Sequence, residues 1–174
     1  MPRDAHGLIQ GLEARDKQFY EALLGEDDLG LVVRAQIHIE HELRGFVLSQ
    51  APRPEMVKFD ELDFDATCRL ALILGLTPDL RAPLSGVGSL RNRFAHQLAK
   101  PLGQQEANNL YASFSARLKE FVQKVYTTQT RDPKTKWKDG SARDRIILML
   151  LLLRSFIIAE RVHAEQKNAG KNQR

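Results

Sequence analysis

The stretch "PLSGVGSLRNRFAHQL", Pro83 to Leu98, decides how the chain reads. Placed at about 100° per residue, Leu84, Val87, Leu90, Phe94, Ala95 and Leu98 fall on one stripe, the pattern of a half-buried helix. Pro83 opens that helix, because deeper inside it a proline would cost about 3 kcal/mol. Pro101 and Gly103 end it after about Ala99. Arg91 falls within the stripe, while Arg93 points to solvent. Asn92 and His96 border the stripe beside Ser85, Gly88 and Ser89. This narrow polar flank of small side chains can be approached closely by a second backbone or a substrate strand.

Helical periodicity continues in both directions and no stretch alternates as strands do, so the expected fold class is all-α, a helical bundle. A first helix spans about Glu13 to Leu24. A longer one, capped by Asp27 or Asp28, runs to about Gln50, where "APRP" stops it. "FDELDFDATCRLALILGL" forms the next helix and ends near Gly75, with Thr77-Pro78 opening a short turn. Leu110, Phe114, Leu118, Phe121, Val122 and Val125 predict one helix from about Gln105 to Thr127. The polar basic loop "TTQTRDPKTKWKDG" follows, and Ser141 with Asp144 caps a last helix to about Gln166. The tail "KNAGKNQR", residues 167–174, is expected to be disordered.

The length of 174 residues suits a single domain, placed at 1–166, able to bury a core without staples. With 43% hydrophobic and 28% charged residues it reads as an ordinary globular protein. The single cysteine, Cys68, lies in an apolar run and reads as a small core residue, which suits a reducing, cytoplasmic compartment. The start "MPRDAHGLIQ" carries no secretory pattern. "IILMLLLLRSFIIA", Ile146 to Ala159, is the most apolar stretch, but its 14 residues with Arg154 inside fall short of the roughly 20 a membrane span needs. It reads as buried or interfacial. The net charge of +4 is uneven: residues 1–100 hold 12 Lys/Arg and 15 Asp/Glu, residues 101–174 hold 14 and 7. A basic C-terminal part can attract phosphates without sequence preference, and it also serves plain solubility.

On the helix from Leu29, the stripe contains Leu29, Val32, Val33, Leu43 and Val47, with Gln36 and Glu40 in its middle. Glutamate is almost never buried unless paired. Two helices thus each set one charge on the apolar side, with opposite signs, and Glu40 is expected to pair with Arg91 and hold its guanidinium. The plainer reading is a buried pair that only fixes helix register.

"RNRFAH" resembles the signature of HEPN domains: an Arg, a polar residue after it, and a His four to six residues on. Arg91, Asn92 and His96 match at the shortest spacing. The broader stretch "FDATCRLALILGLTPDLRAPLSGVGSLRNRFAHQL", Phe64 to Leu98, resembles the mannitol-repressor (MltR-like) family within that group. The resemblance implies a HEPN-like bundle of about five to six helices with an up-and-down core, commonly a homodimer with the motif at its interface. It implies a catalytic Arg91 and His96, with Asn92 as the polar residue after the arginine, for metal-independent RNA cleavage of a toxin or defence type with an antitoxin as partner; Glu40 and Gln36, placed nearby by helical spacing, are the expected supporting residues. The alternative is a non-catalytic, MltR-like transcriptional regulator that binds a protein partner; the last helix lies outside the matched stretch, and its apolar Ile146–Ala159 face is the surface expected to take that partner. No helix-turn-helix signal is present for direct DNA reading.

Other constellations are weaker. "HIEHE" holds His38, Glu40, His41 and Glu42, but His38 lies opposite the stripe and no second ligand cluster completes a metal site, so it reads as solvated helix face. His6 and His163 have no apparent partners. Gly86-Val87-Gly88 lacks a phosphate-loop Lys-Ser/Thr, and no serine elbow is present. No cofactor is implied. Trp137 among Lys134, Lys136 and Lys138 can stack on a base while the lysines hold phosphates, or can tuck against the domain in a solvated loop.

Overall fold

The computed structural model describes residues 14–96, 101–129 and 136–171, with side chains described over 17–94, 101–128 and 136–167. Among these, seven helices form an all-α bundle with no strand: α1 (Ala14–Leu24), α2 (Asp28–Gln50), α3 (Phe64–Ile73), α4 (Arg81–His96), α5 (Gln104–Ser113), α6 (Ala116–Gln129) and α7 (Ala142–Lys171). None is long and apolar enough to cross a membrane.

The spine of the bundle is α7. Every residue from Arg145 to Arg154 is buried, so this segment is covered on all sides and not along one stripe. Helix α2 lies along it, α1, α5 and α6 pack around it, and α3 and α4 lie on the far side of α2. Most of the Ile146–Ala159 stretch is therefore core, and the broad apolar face expected of it is covered within the bundle. Only Ser155 and Phe156, both half-buried, and Ala159 reach the surface there.

Local chemistry sets most boundaries. Asp27 caps α2, accepting from Gly30 N at 2.6 Å. Its neighbour Asp28 instead pairs with Arg143 at the start of α7 and accepts from Leu102 N at 2.8 Å, fastening three chain segments together. Asp63 caps α3 through Ala66 N, and Gly75 takes the turn after it at φ +107°, which favours glycine. Ser141 receives Asp144 N at 3.1 Å and donates to that carboxylate at 2.6 Å, which is the expected start of α7.

Four boundaries differ from expectation. The helix expected from Phe59 begins at Phe64, where Asp63 caps it, and Phe59–Glu61 is a separate 3-10 turn. Helix α4 begins at Arg81, leaving Pro83 in the first turn, where its missing N–H is not needed. The helix expected over Gln105–Thr127 is two, because Phe114 is extended (ψ 139°) and Ser115 receives Leu118 N at 3.4 Å to start α6. Helix α7 continues past Gln166 to Lys171, so the first part of the expected disordered tail is helical. No proline stops it, and a terminal lysine complements the helix dipole.

The charge inside the apolar run Ile146–Ala159 is matched. Arg154 donates through Nη2 to Glu42 Oε1 at 2.7 Å, both side chains are 6% exposed, and the guanidinium lies 5.0 Å from the Phe19 ring centroid. Arg161, further along α7, reaches Glu42 Oε2 at 3.3 Å. Glu42→Leu removes the buried carboxylate that Arg154 meets from α2 and should cost about 3–5 kcal/mol in urea unfolding. The double variant Glu42→Leu/Arg154→Leu should recover most of that loss. Equal or greater loss in the double variant would contradict this role.

Candidate functional site around Arg91

Arg91 and Asn92 stand on the outer side of α4, both exposed. They line a cleft of about 390 Å³ with Gln36 and Glu40 of α2 and Asp63, Asp65 and Phe64 at the start of α3. Four of the residues singled out from the sequence, Gln36, Glu40, Arg91 and Asn92, are thus brought to one cleft. His96 ends the described part of α4, one turn beyond Asn92, and its side chain lies outside the described residues.

The expected Glu40–Arg91 pair does not form. Glu40 is half-buried and is salt-bridged to Arg44 one turn along α2. Asp65 pairs with Arg69, and Asp63 is engaged as the cap of α3. Arg91 donates to Asn92 Oδ1 at 3.2 Å, its only hydrogen bond or ion pair among the described residues. The cleft therefore holds three carboxylates whose near partners lie elsewhere, and one guanidinium facing water.

The two arginines of the motif also exchange their expected roles. Arg93 is half-buried and reaches Glu106 Oε1 on α5 at 3.2 Å, while Glu106 Oε2 accepts from Gly103 N at 3.1 Å. Glu106 is 2% exposed, so Arg93 fastens α4 to α5. The cause is the placement of α5 against the Gly86 side of α4, where an alanine Cβ would stand 3.1 Å from Ser113 Oγ. The buried stripe is Leu84, Val87, Leu90 and Phe94, and Arg91 lies just beyond its edge. Ser85 and Ser89 are exposed with Asn92, so the small polar face read from the sequence is open.

Periodicity alone sets Glu40 on the buried side of α2, but the helix buries Glu42 instead. Its buried positions are Leu31, Val32, Ala35, Ile39, Leu43, Phe46 and Val47, because α1 and α7 cover the side opposite α4. His38, expected on a solvated face, is half-buried against Phe19 with ring centroids 4.8 Å apart. His38, His41, Glu42, Arg154 and Arg161 line a second cleft of about 560 Å³ between α2 and α7. The signal in the sequence is Arg154, a charge inside the most apolar run that requires an anion from a neighbouring helix. No group of three or more metal-ligating side chains occurs among the described residues.

The tryptophan is not a base-stacking platform. Trp137 is 8% exposed, packs edge-on against Tyr126 at 5.3 Å and beside Tyr111 at 5.2 Å, and carries the Arg145 guanidinium at 4.8 Å. Arg145 is itself buried and is held by the amides of Gln104 and Asn108 at 2.8 and 3.0 Å. Lys136 and Lys138 are exposed beside this nest, and Lys134 lies outside the described residues. Cys68 is buried, and loss of hydration pushes its thiol up to about 12, which keeps it protonated and inert.

Compared with protein-family models, with curated proteins and with solved structures, the chain matches none.

Emission from Trp137, the sole tryptophan, should be blue-shifted, and short RNA should leave it unchanged. Quenching by RNA would contradict the buried placement. His38 should make stability fall in acid. Burial and then the Arg154 charge lower its pKa from 6.5, so the unfolded chain takes the proton first as pH drops. Its contribution is present above about pH 6.5 and is lost as pH falls through the lower folded value. His38→Gln should flatten the decline in Tm between about pH 7.5 and 5; an unchanged slope would contradict it.

Proposed function

We propose that the chain is a HEPN-like, RNA-acting protein, a metal-independent endoribonuclease of the toxin or defence type that works as a homodimer. The observation that carries this reading is Arg91: exposed, bonded only to the neighbouring Asn92 amide among the described residues, and set on a helix face of small side chains. A guanidinium without a carboxylate partner is available to phosphate oxygens, to which it can donate two parallel hydrogen bonds. The resemblance of "RNRFAH" to the HEPN signature supplies the third group, His96.

Cleavage then proceeds by transfer within the RNA. One His96 imidazole takes the proton of the 2′-OH, and the 2′-oxygen attacks phosphorus. The bond from phosphorus to the 5′-oxygen breaks, and a second, protonated His96 gives that oxygen its proton. Arg91 bears on the charged phosphorus oxygens as negative charge builds. The products are a 2′,3′-cyclic phosphate and a 5′-hydroxyl. One imidazole cannot serve both ends in a single pass, so a second chain is part of the mechanism. The Ser85, Ser89 and Asn92 face is where a second α4 can approach closely.

The second reading is a non-catalytic MltR-like regulator that binds a protein. It draws on a groove between α6 and α7, where Phe121, 44% exposed, lies 5.2 Å from Phe156 above Leu80 and Leu118. An exposed phenylalanine beside a half-buried one, over buried Leu80 and Leu118, suits a protein partner.

Incubation with end-labelled single-stranded RNA separates the two. The ribonuclease reading expects cleavage that survives EDTA, leaves cyclic phosphate ends, and falls about 10²–10⁴-fold in His96→Ala. Full activity in His96→Ala, or complete loss in EDTA, would overturn it. Absence of cleavage together with stoichiometric co-purification of one protein, lost in Phe121→Asp, would favour the regulator.

A further inference from the structure

We infer that the cleft at Arg91 seats one nucleotide of the RNA with its base against α2 and α3, and that Glu40 selects guanine there. The inference deepens the ribonuclease reading and rests on it for the ligand being RNA, although binding can be measured without cleavage. The cleft has two unlike walls. On the α4 wall stand Arg91 and Asn92, both exposed, one turn from Gly88. Across it stand Glu40 of α2 and the start of α3 with Asp63, Phe64 and Asp65.

The first ground is the kind of hydrogen-bonding group each wall offers. Glu40 Oε1 is engaged by Arg44, Asp65 Oδ2 by Arg69, and Asp63 Oδ1 accepts from Ala66 N at 2.7 Å. Each of these contacts stays within the carboxylate's own helix or its cap, and each leaves the second oxygen able to accept. On the α4 wall, Arg91 Nη1 donates to Asn92 Oδ1 at 3.2 Å, which leaves the Asn92 amide N–H groups and the rest of the guanidinium as donors. One wall thus carries donors and a positive charge, the other acceptors and negative charge. A phosphate is drawn to the first and repelled by the second. A base edge rich in N–H groups has the opposite preference. A nucleotide carries both at its two ends, so the walls set its direction in the cleft.

The second ground is an aromatic ring in the acceptor wall. Phe64 is half-buried, and its ring comes within 3.5 Å of where a Cβ on residue 88 would stand. Because residue 88 is glycine, ring and bare backbone line this part of the cleft and no side chain fills it. Stacking on a ring accepts any base, so selection falls to the edge contacts. Among the carboxylates, Glu40 is the most shielded: its side chain is 19% exposed, that of Asp65 is 67% exposed, and Asp63 is exposed. Water therefore screens Glu40 least. Guanine alone presents two donor groups side by side, N1–H and the N2 amine, which one carboxylate accepts in parallel. Glu40 Oε1 keeps a second lone pair for this beside its bond to Arg44. The volume of about 390 Å³ falls in the roughly 300–1,000 Å³ range of small-molecule sites.

The test is calorimetric titration of the full chain with the 3′-monophosphates of guanosine, inosine, adenosine, cytidine and uridine at constant ionic strength. The guanosine nucleotide should bind about tenfold or more tighter than the others, inosine included, because inosine lacks the N2 amine. Glu40→Gln should bring the guanosine and inosine nucleotides to equal affinity. Arg91→Ala and Phe64→Leu should weaken all of the nucleotides, since they act on the phosphate and on the stack. Circular dichroism checks that each variant is folded, and the comparison of guanosine with inosine needs no variant. Absence of saturable binding, equal affinity for those two nucleotides in the native chain, or a guanine preference that persists in folded Glu40→Gln overturns the inference. Guanine preference without RNA cleavage would count against the ribonuclease reading alone. Cleavage at equal rates after every base, with no preference in binding, would count against this inference alone.

Discussion

The architecture depends on how the chain accommodates one arginine in its most apolar segment. The spine of α7 is buried on all sides from Arg145 to Arg154, and a bare guanidinium there would carry a desolvation cost of several kcal/mol. Glu42 meets it from α2, and that pairing fixes both the rotation of α2 and its height along α7. Once α2 is set, its opposite side receives α3 and α4, and Arg91 comes to the rim of the cleft between them. The buried pair and the exposed motif are therefore consequences of one rotation. Replacing the pair by apolar residues could leave stability intact, so its contribution is best seen in register.

Much of this is legible in the sequence. The apolar stripe of α4, the caps at Asp27 and Ser141, and the all-α class follow from periodicity and from side chains that satisfy open helix ends. The faces of the helices are less legible. Helix α2 is covered on two sides, so its apolar residues do not define a single stripe, and a one-stripe reading buries Glu40 where the bundle buries Glu42. The same cause hides the His38 cleft. Arg91 and Arg93 are only two positions apart, and the choice between them rests on where α5 lies, which no local pattern encodes. The break at Phe114 and Ser115 leaves no mark in the periodicity, because the apolar spacing runs through it in step.

The chemistry of the two clefts differs in a way that follows from their ion pairs. Around Arg91 the carboxylates are engaged by Arg44, Arg69 and a helix end, which leaves the guanidinium open to a ligand that arrives from outside. Between α2 and α7 the one buried carboxylate, Glu42, is shared by Arg154 and Arg161. Trp137 contributes to neither. It closes the end of the bundle with Tyr126 and Arg145, so the lysines beside it can contribute attraction at a distance but no stacking.

The central functional claim is that the small-residue face of α4 meets its own copy, so that two RNRFAH motifs share one cleft. The most direct measurement is oxidative cross-linking of a Ser89→Cys variant, since a residue beside a two-fold axis meets itself across it. Cys68 is buried and protonated and gives no background. The account predicts a covalent dimer under mild oxidation at micromolar concentration. A chain that stays monomeric while the introduced thiol reacts freely with a small reagent would contradict it.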